Sequence, residues 1–178
     1  HNMFGLTAGD KFTEQWRDLF MKTVKKENNP ASVVGVYGSA DAVVMGFETP
    51  LSIFLRRAAI KDKELYKELF GDEKLLPNIS QYDESIIFFE EKDTELVITA
   101  PTSIPLIRYN IHDRGNIIRQ QEIKKILEKS NLSKKSEILK LFGWDFPFVV
   151  VKGRTDVAAT FYALNIYPEN IRAAVDDR

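Results

Sequence analysis

Apolar residues recur along this chain in two rhythms, one helical and one strand-like. Phe12, Trp16, Leu19, Phe20 and Val24 fall at helical spacing and predict an amphipathic helix from Lys11 to Lys26, with Asp10 as its N-cap. Glu27-Asn28-Asn29-Pro30 stops it. Val33 to Tyr37 is a short apolar run of buried-strand type. Gly38-Ser39-Ala40-Asp41 then turns the chain, and Ala42 to Gly46 resumes the apolar run. Two helices are predicted next, Leu51 to Ala59 and Asp62 to Phe70, with Gly71 as the C-cap of the second.

After Pro77 the rhythm changes. Ser85 to Glu91 and Glu95 to Ala100 read as strands joined by a hairpin loop at Lys92-Asp93-Thr94. Residues 120–142 read as two short helices broken near Ser130-Asn131. Phe146 to Val151 reads as a buried strand with Pro147 tolerated at its start. Gly153-Arg154-Thr155-Asp156 is a turn, Phe161 to Ile166 is extended, and Glu169 to Val175 begins a helix. The order predicts an α/β segment to residue 46, a β-rich segment over 47–152 and a short tail over 153–178. The first segment has too few strands for a complete sheet, so the chain reads as a piece of a larger protein.

The stretch from Pro105 to Ile118 has two readings. An apolar run, a polar cluster and a second apolar run around Gly115 make a strand, a turn and a strand, with Asp113 and Gly115 serving the turn. The same cluster at a strand end has the shape of a binding site.

Composition narrows the classes. With 44% hydrophobic and 29% charged residues the chain has the make-up of a soluble globular protein. Twenty-five Lys+Arg against 26 Asp+Glu leave a net charge of −1, without the basic footprint of a nucleic-acid binder. The absence of cysteine excludes disulfides and thiolate chemistry and fits a reducing, cytoplasmic setting. No apolar run reaches the roughly 18 residues of a membrane span. There is no GxGxxG, no phosphate loop of the P-loop type and no GxSxG elbow. His112 is the one credible histidine and reads as a hydrogen-bonded strand-end residue. Glu90-Glu91 reads as a solvated hairpin end, and Trp16 and Trp144 read as core anchors.

Four polar clusters close strands: Ala8-Gly9-Asp10, Tyr37 to Asp41, Arg108 to Asp113, and Gly153 to Asp156. Each alone is ordinary turn chemistry. Together they hold an aromatic face, glycines for close backbone approach, carboxylates and arginines, which is the assortment a purine nucleotide requires. Periodicity leaves open whether they meet in space.

The chain resembles the phenylacetate–coenzyme A ligase-like branch of the adenylate-forming (AMP-binding) enzymes, collinearly over nearly its whole length. Leu6-Thr7-Ala8-Gly9-Asp10 is similar to the family's TGE segment beside the adenine pocket. Tyr37-Gly38-Ser39-Ala40-Asp41 is similar to YGxTE, and Pro105 to Asp113 to PLIRYxxGD. Gly153-Arg154-Thr155-Asp156, with Asn165 to Ile171, is similar to the GRxDD…NVFPxxIE hinge segment.

The resemblance implies the C-terminal part of an adenylate-forming N-terminal domain, including a half-barrel-like β subdomain, followed by the hinge and the start of the small domain. It implies nucleotide binding by Gly9, Asp10, Tyr37, Gly38, Ser39, Asp113 and Arg154, with Tyr37 stacking on adenine and Asp113 gripping the ribose hydroxyls. It implies Mg²⁺ at Asp41 and a hinge at Asp156. The implied reaction joins a small carboxylic acid to AMP from ATP, then to a thiol such as coenzyme A. Relatives in that family often dimerise, which leaves the oligomeric state open between a monomer and a homodimer; composition gives no nucleic-acid or membrane partner.

The sequence departs from the pattern at Ala40, which lacks the usual hydroxyl, and at Asp41, which is shorter than Glu. His112 stands for the usual Gly, Val157 for the second hinge Asp, and Tyr162-Ala163 for a basic residue and Gly. The family's phosphate loop and catalytic lysine fall outside the sequence, so the chain alone is expected to be inactive. Two alternatives stand beside the ligase reading: a non-ligating nucleotide-binding relative, and a structural or interaction module.

Overall fold

The computed structural model describes residues 4–9, 12–130, 132, 137–138, 140–155, 159–161, 164–166, 171 and 174–175. It is an α/β structure built on an open, mixed eight-stranded sheet. The strands are β1 (Gly5–Ala8), β2 (Val33–Ser39), β3 (Val43–Phe47), β4 (Asn78–Gln81), β5 (Phe88–Lys92), β6 (Glu95–Ala100), β7 (Leu106–Ile118) and β8 (Phe148–Arg154). They lie in the order β1-β2-β3-β4-β8-β7-β6-β5. β1 runs parallel to β2, and every other neighbour is antiparallel. A separate antiparallel pair joins β9 (Ala159–Phe161) to β10 (Leu164–Ile166).

The central strand β8 shows why its sequence is a continuous apolar run. Phe148 and Val150 point to one face, where they pack with α2 (Pro50–Lys61), α3 (Lys63–Phe70) and α4 (Gln120–Lys129) through Leu51, Leu55, Leu69, Phe70 and Ile123. Val149 and Val151 point to the other face and pack with Met45, Tyr82, Phe89, Leu96 and Ile111. A strand buried on both faces has no polar position to alternate with. Each fully buried side chain of this kind contributes about 1.5–3 kcal/mol. The second face is strongly curled, since Tyr37 on β2 stacks on Phe89 of β5 from the opposite end of the strand order, with ring centroids 6.1 Å apart.

Local signals set the helix ends. Thr49 and Ser52 cap α2 reciprocally: the Ser52 amide donates to Thr49 Oγ1 and the Thr49 amide to Ser52 Oγ, at 3.2 and 2.8 Å. Asp62 Oδ1 accepts from the Glu64 and Leu65 amides and starts α3. Gly71, at φ 70°, ends it.

α1 spans Glu14–Thr23, shorter than its predicted 11–26. Thr13 caps it, accepting from the Trp16 amide at 3.2 Å, in place of the expected Asp10, which lies outside the described residues. Its buried face is also not the predicted one. Glu14, Arg17 and Met21 face inward, whereas Leu19 is 62% exposed and Trp16 is 39% exposed. Charge pairing drives this inversion. The Arg17 guanidinium is fully buried and donates to Glu14 at 2.9 Å, to Glu48 at 2.7 and 2.8 Å and to the Val33 carbonyl at 2.5 Å. Buried Arg56 of α2 reaches Glu14 at 3.0 Å and Glu48 at 3.5 Å. Glu48 also accepts from the Gly35 amide at 2.7 Å. Four buried charges thus tie α1, β2 and α2 together, each facing opposite charge as burial demands, although the buried Arg56 Nε has no hydrogen-bond partner among the described residues.

Other expectations are corrected. Trp144 is not a core anchor: it is 55% exposed and meets the Phe47 ring edge-on at 5.8 Å. The strand expected from Ser85 starts at Phe88, because Asp83 gathers the Ser85 amide and hydroxyl into a turn. The stretch 106–118 is one strand of 13 residues rather than two around a turn. Gly115 serves a close approach, since a Cβ there would lie 2.2 Å from the Val150 carbonyl oxygen. Gly153 and Arg154, expected in a turn, complete β8, and Gly38 and Ser39 complete β2. β3 covers residues 46 and 47, and β8 covers residues 152 and 153. Among the described residues no helix is long and apolar enough to cross a membrane.

Candidate functional site

Residues expected in three separate sequence clusters meet on the curled face. The Tyr37 hydroxyl on β2 donates to Asp113 Oδ2 on β7 at 2.7 Å, across 76 positions of sequence. Asp113 sits opposite Arg154 in the β7–β8 register, with Arg154 Nε 3.9 Å from Asp113 Oδ1. The Tyr109 hydroxyl donates to Asp41 Oδ2 in the β2–β3 turn at 3.1 Å. The Asp113 carboxylate is nearly buried, while the Arg154 side chain is half exposed.

Three breaks in strand register aim these side chains. Between the Tyr37–Gly46 and Gly38–Val44 pairs, β3 carries Met45 as an extra residue. Between the Asn110–Val97 and Arg114–Glu95 pairs, β7 takes four steps while β6 takes two, and Asp113 lies in that excess. Between the Gly115–Val151 and Arg114–Gly153 pairs, β8 carries Lys152 as an extra residue. That last bulge matters for phase. Without it Arg154 would share the helix-covered side of Val150, and with it Arg154 returns to the side of Val151 and Asp113.

The backbone at the cluster is unusual in the same places. His112 adopts φ 60°, Arg108 φ 48° and Val43 φ 60°, all in the left-handed region. His112 is held there by its own backbone: its amide donates to Asn110 Oδ1 at 2.8 Å and its carbonyl accepts from the Thr155 amide at 2.8 Å. Its ring is half exposed, 3.9 Å from Glu95, and lies mid-strand rather than at a strand end. Glu95 also accepts from Asn110 Nδ2 at 2.6 Å and from the Thr155 hydroxyl. Gly38 is required by packing, because a Cβ would lie 2.0 Å from the Val43 carbonyl oxygen.

The electrostatics of the cluster follow from these contacts. Burial first, then the Asp113 carboxylate, push the Tyr37 hydroxyl well above its ordinary pKa, and Arg154 opposes them. The Asp41 bond pushes the Tyr109 hydroxyl up, again with Arg154 opposing. Arg154 therefore acts on both phenols. The Tyr37 ring is backed by Phe89, which meets Tyr82 edge-on at 4.7 Å, so the platform is braced from beneath.

Of the other expected residues, Gly9 follows β1 at φ 91° and is exposed. The parallel pairing of Ala8 with Val36 brings it level with Tyr37. Ser39 Oγ accepts from the Ala42 amide at 3.0 Å and so shapes the β2–β3 turn. Asp10, Asp156, Val157, Tyr162 and Ala163 lie outside the described residues.

Asp41, the expected Mg²⁺ position, is engaged by a phenol. Its Oδ2 accepts the Tyr109 hydroxyl, and no group of three metal-ligating side chains occurs among the described residues. Mg²⁺ asks for six oxygens, and the positive Arg154 acts in the same cluster. A groove of about 430 Å³ between α3 and α4, lined by Asp62, Leu65, Glu68 and Lys129, lies apart from this cluster. In the sequence Tyr109 stands out only as a member of the Arg108 to Asp113 cluster, and its bond to Asp41 links β7 to the β2–β3 turn. Comparison of the chain with models of known protein families and with curated proteins returned no match.

Proposed function

We propose that this chain carries the nucleotide-binding half of an adenylate-forming acid–thiol ligase, with a half-barrel-like sheet as its framework. One observation carries the reading: Tyr37, Asp113 and Arg154, distant in sequence, stand together on one face. In this reading Tyr37 carries the adenine ring, Asp113 accepts hydrogen bonds from the ribose hydroxyls and Arg154 holds the α-phosphate. Gly9, Gly38 and Ser39 border the base. Mg²⁺ would arrive with the triphosphate of ATP rather than reside on Asp41. The parent enzyme would activate a carboxylic acid as its acyl-adenylate and pass it to coenzyme A, turning about Asp156. Placing the acid and the phosphate in line is the main contribution such a site makes.

The test has two levels. The chain should bind AMP, and Asp113→Ala should weaken that binding about tenfold or more, as expected when hydrogen bonds to a charged group are lost. The full-length parent should exchange pyrophosphate into ATP in the presence of some carboxylic acid. AMP binding unchanged by Asp113→Ala would defeat the site assignment. Binding without exchange across a broad acid panel would favour the second reading, a non-ligating nucleotide binder. Ala40, which brings no hydroxyl, and the Tyr109 bond on Asp41 point towards that second reading.

A further inference from the structure

Resting on the nucleotide reading, we infer that Glu95, which stands outside the proposed nucleotide contacts, is a positioning residue. It closes a ring of hydrogen bonds that fixes the Asp113–Arg154 pair. Glu95 Oε2 accepts from Asn110 Nδ2 at 2.6 Å, and Asn110 Oδ1 accepts from the His112 amide at 2.8 Å. The His112 carbonyl accepts from the Thr155 amide at 2.8 Å. The Thr155 hydroxyl, also 3.2 Å from that carbonyl, returns to Glu95 Oε1 and completes the ring. Asp113 follows His112 and Arg154 precedes Thr155, so the ring grips the chain one residue from each member of the pair.

The strand ladder leaves this place to side chains. Asp113 lies where β7 takes four steps against two of β6, between the ladder pairs of those strands. Arg154 is the final residue of β8 and pairs with Asp113 at the end of the β7–β8 register. Both therefore sit where backbone pairing is interrupted. His112 holds φ 60°, which a residue with a β-carbon keeps only when its surroundings impose it. The ring engages both of its backbone groups, the amide on Asn110 and the carbonyl on Thr155.

Glu95 is placed to close this ring. It is the first residue of β6, and its Cα pairs with Arg114. The preceding carbonyl, that of Thr94, accepts from the Gly115 amide at 3.1 Å. The carboxylate thus rises from a fixed point of the sheet, with its side chain 23% exposed. Its two oxygens hold two donors at once, one on β7 and one just past β8. An ionised acceptor binds such donors more strongly than a neutral one. A supporting group on a rigid strand is what precise placement of binding side chains requires.

Isothermal titration of the full chain with AMP, together with amide hydrogen exchange, tests this role. Thr155→Val removes one hydroxyl without changing charge and should weaken AMP about threefold to tenfold. Thr155→Ser keeps the hydroxyl and should bind within about twofold of the unaltered chain. Glu95→Met should also weaken AMP, against the tightening that loss of a negative charge alone would give an anion. The double variant should lose no more than about twice the larger single loss, since each change opens the same ring. In Glu95→Met the His112 and Thr155 amides should exchange at least about tenfold faster, with the Val149 and Val151 amides unchanged. AMP affinity within about twofold in either Thr155→Val or Glu95→Met, or single losses that simply multiply, would overturn the positioning role and leave the nucleotide reading standing. Unchanged exchange at His112 and Thr155 would overturn the ring itself. No AMP binding by the unaltered chain would instead refute the nucleotide reading.

Discussion

Replacing Arg17 with methionine removes one positive charge from a buried set that holds two arginines and two glutamates. The side chain is fully buried, and it supplies five short contacts: one to Glu14, two to Glu48 and two to the carbonyls of Val33 and Pro30. Its guanidinium also lies 4.7 Å from the centre of the Phe12 ring. Methionine matches much of the volume but none of the donors. Arg56 stays, 3.0 Å from Glu14 and 3.5 Å from Glu48, so two carboxylates then share one buried guanidinium. Breaking a buried ion pair from one side costs about 3–5 kcal/mol, because the remaining charge loses its partner in a poor dielectric. For a chain of this size that lowers Tm by roughly 6–20 °C. Against a typical total stability of about 5–15 kcal/mol it is a large fraction. Urea unfolding followed by tryptophan fluorescence reads it directly, since Trp16 sits on the same helix between Phe12 and Phe20. Glu48→Gln alone and combined with Arg17→Met completes a cycle, in which the double variant should cost at least about 1 kcal/mol less than the two single losses added. A loss below about 1 kcal/mol for Arg17→Met, or plain additivity in the cycle, would refute the claim that this cluster pins α1 to the sheet.

Gly38→Ala should cost about 1–3 kcal/mol in urea unfolding and weaken AMP binding, because its Cβ would strike the Val43 carbonyl oxygen and open the β2–β3 turn. His112→Gly should raise stability by about 0.5–1 kcal/mol, read as an increased urea midpoint. The φ of 60° costs histidine about 1–2 kcal/mol, and glycine returns part of the gain as chain entropy. Stability should fall as pH rises above about 10. Tyr82 is pushed up to about 12, mainly by burial, and Tyr37 is raised as well, so the unfolded chain deprotonates first. The Tyr82 part should be complete below about pH 10 and lost as pH passes about 12, and Tyr82→Phe should flatten the fall measured by denaturant titration across that window.

Much of the frame was legible in local patterns. The runs at Val33, Glu95 and Phe148 became strands, and Asp62 and Gly71 bounded a helix, because each depends on neighbours within a few residues. Long-range pairing was not legible. The inverted burial of α1 needs Glu48 and Arg56, which lie 31 and 42 positions beyond the Arg17 and Glu14 they bind. No hydrophobic periodicity registers a buried arginine. Asp113 and Gly115 carry turn chemistry in the abstract. In the fold they serve a bulge and a close backbone approach, and only the facing strands decide between these uses. The polar clusters were visible as residue types, whereas their meeting depends on a curl that brings β2 over β5.

The extra residue at Lys152 makes chain length a variable of chemistry. Deleting one residue there would keep Arg154 in the protein and preserve the apolar run before it. The arginine would nevertheless pass to the opposite side of the sheet, among the groups under α2, α3 and α4. A single codon lost or gained at this point would therefore act as a switch on the site while every residue named in it survived. Among relatives of this chain, spacing between the valine run and the arginine would report a working site more faithfully than the presence of the arginine.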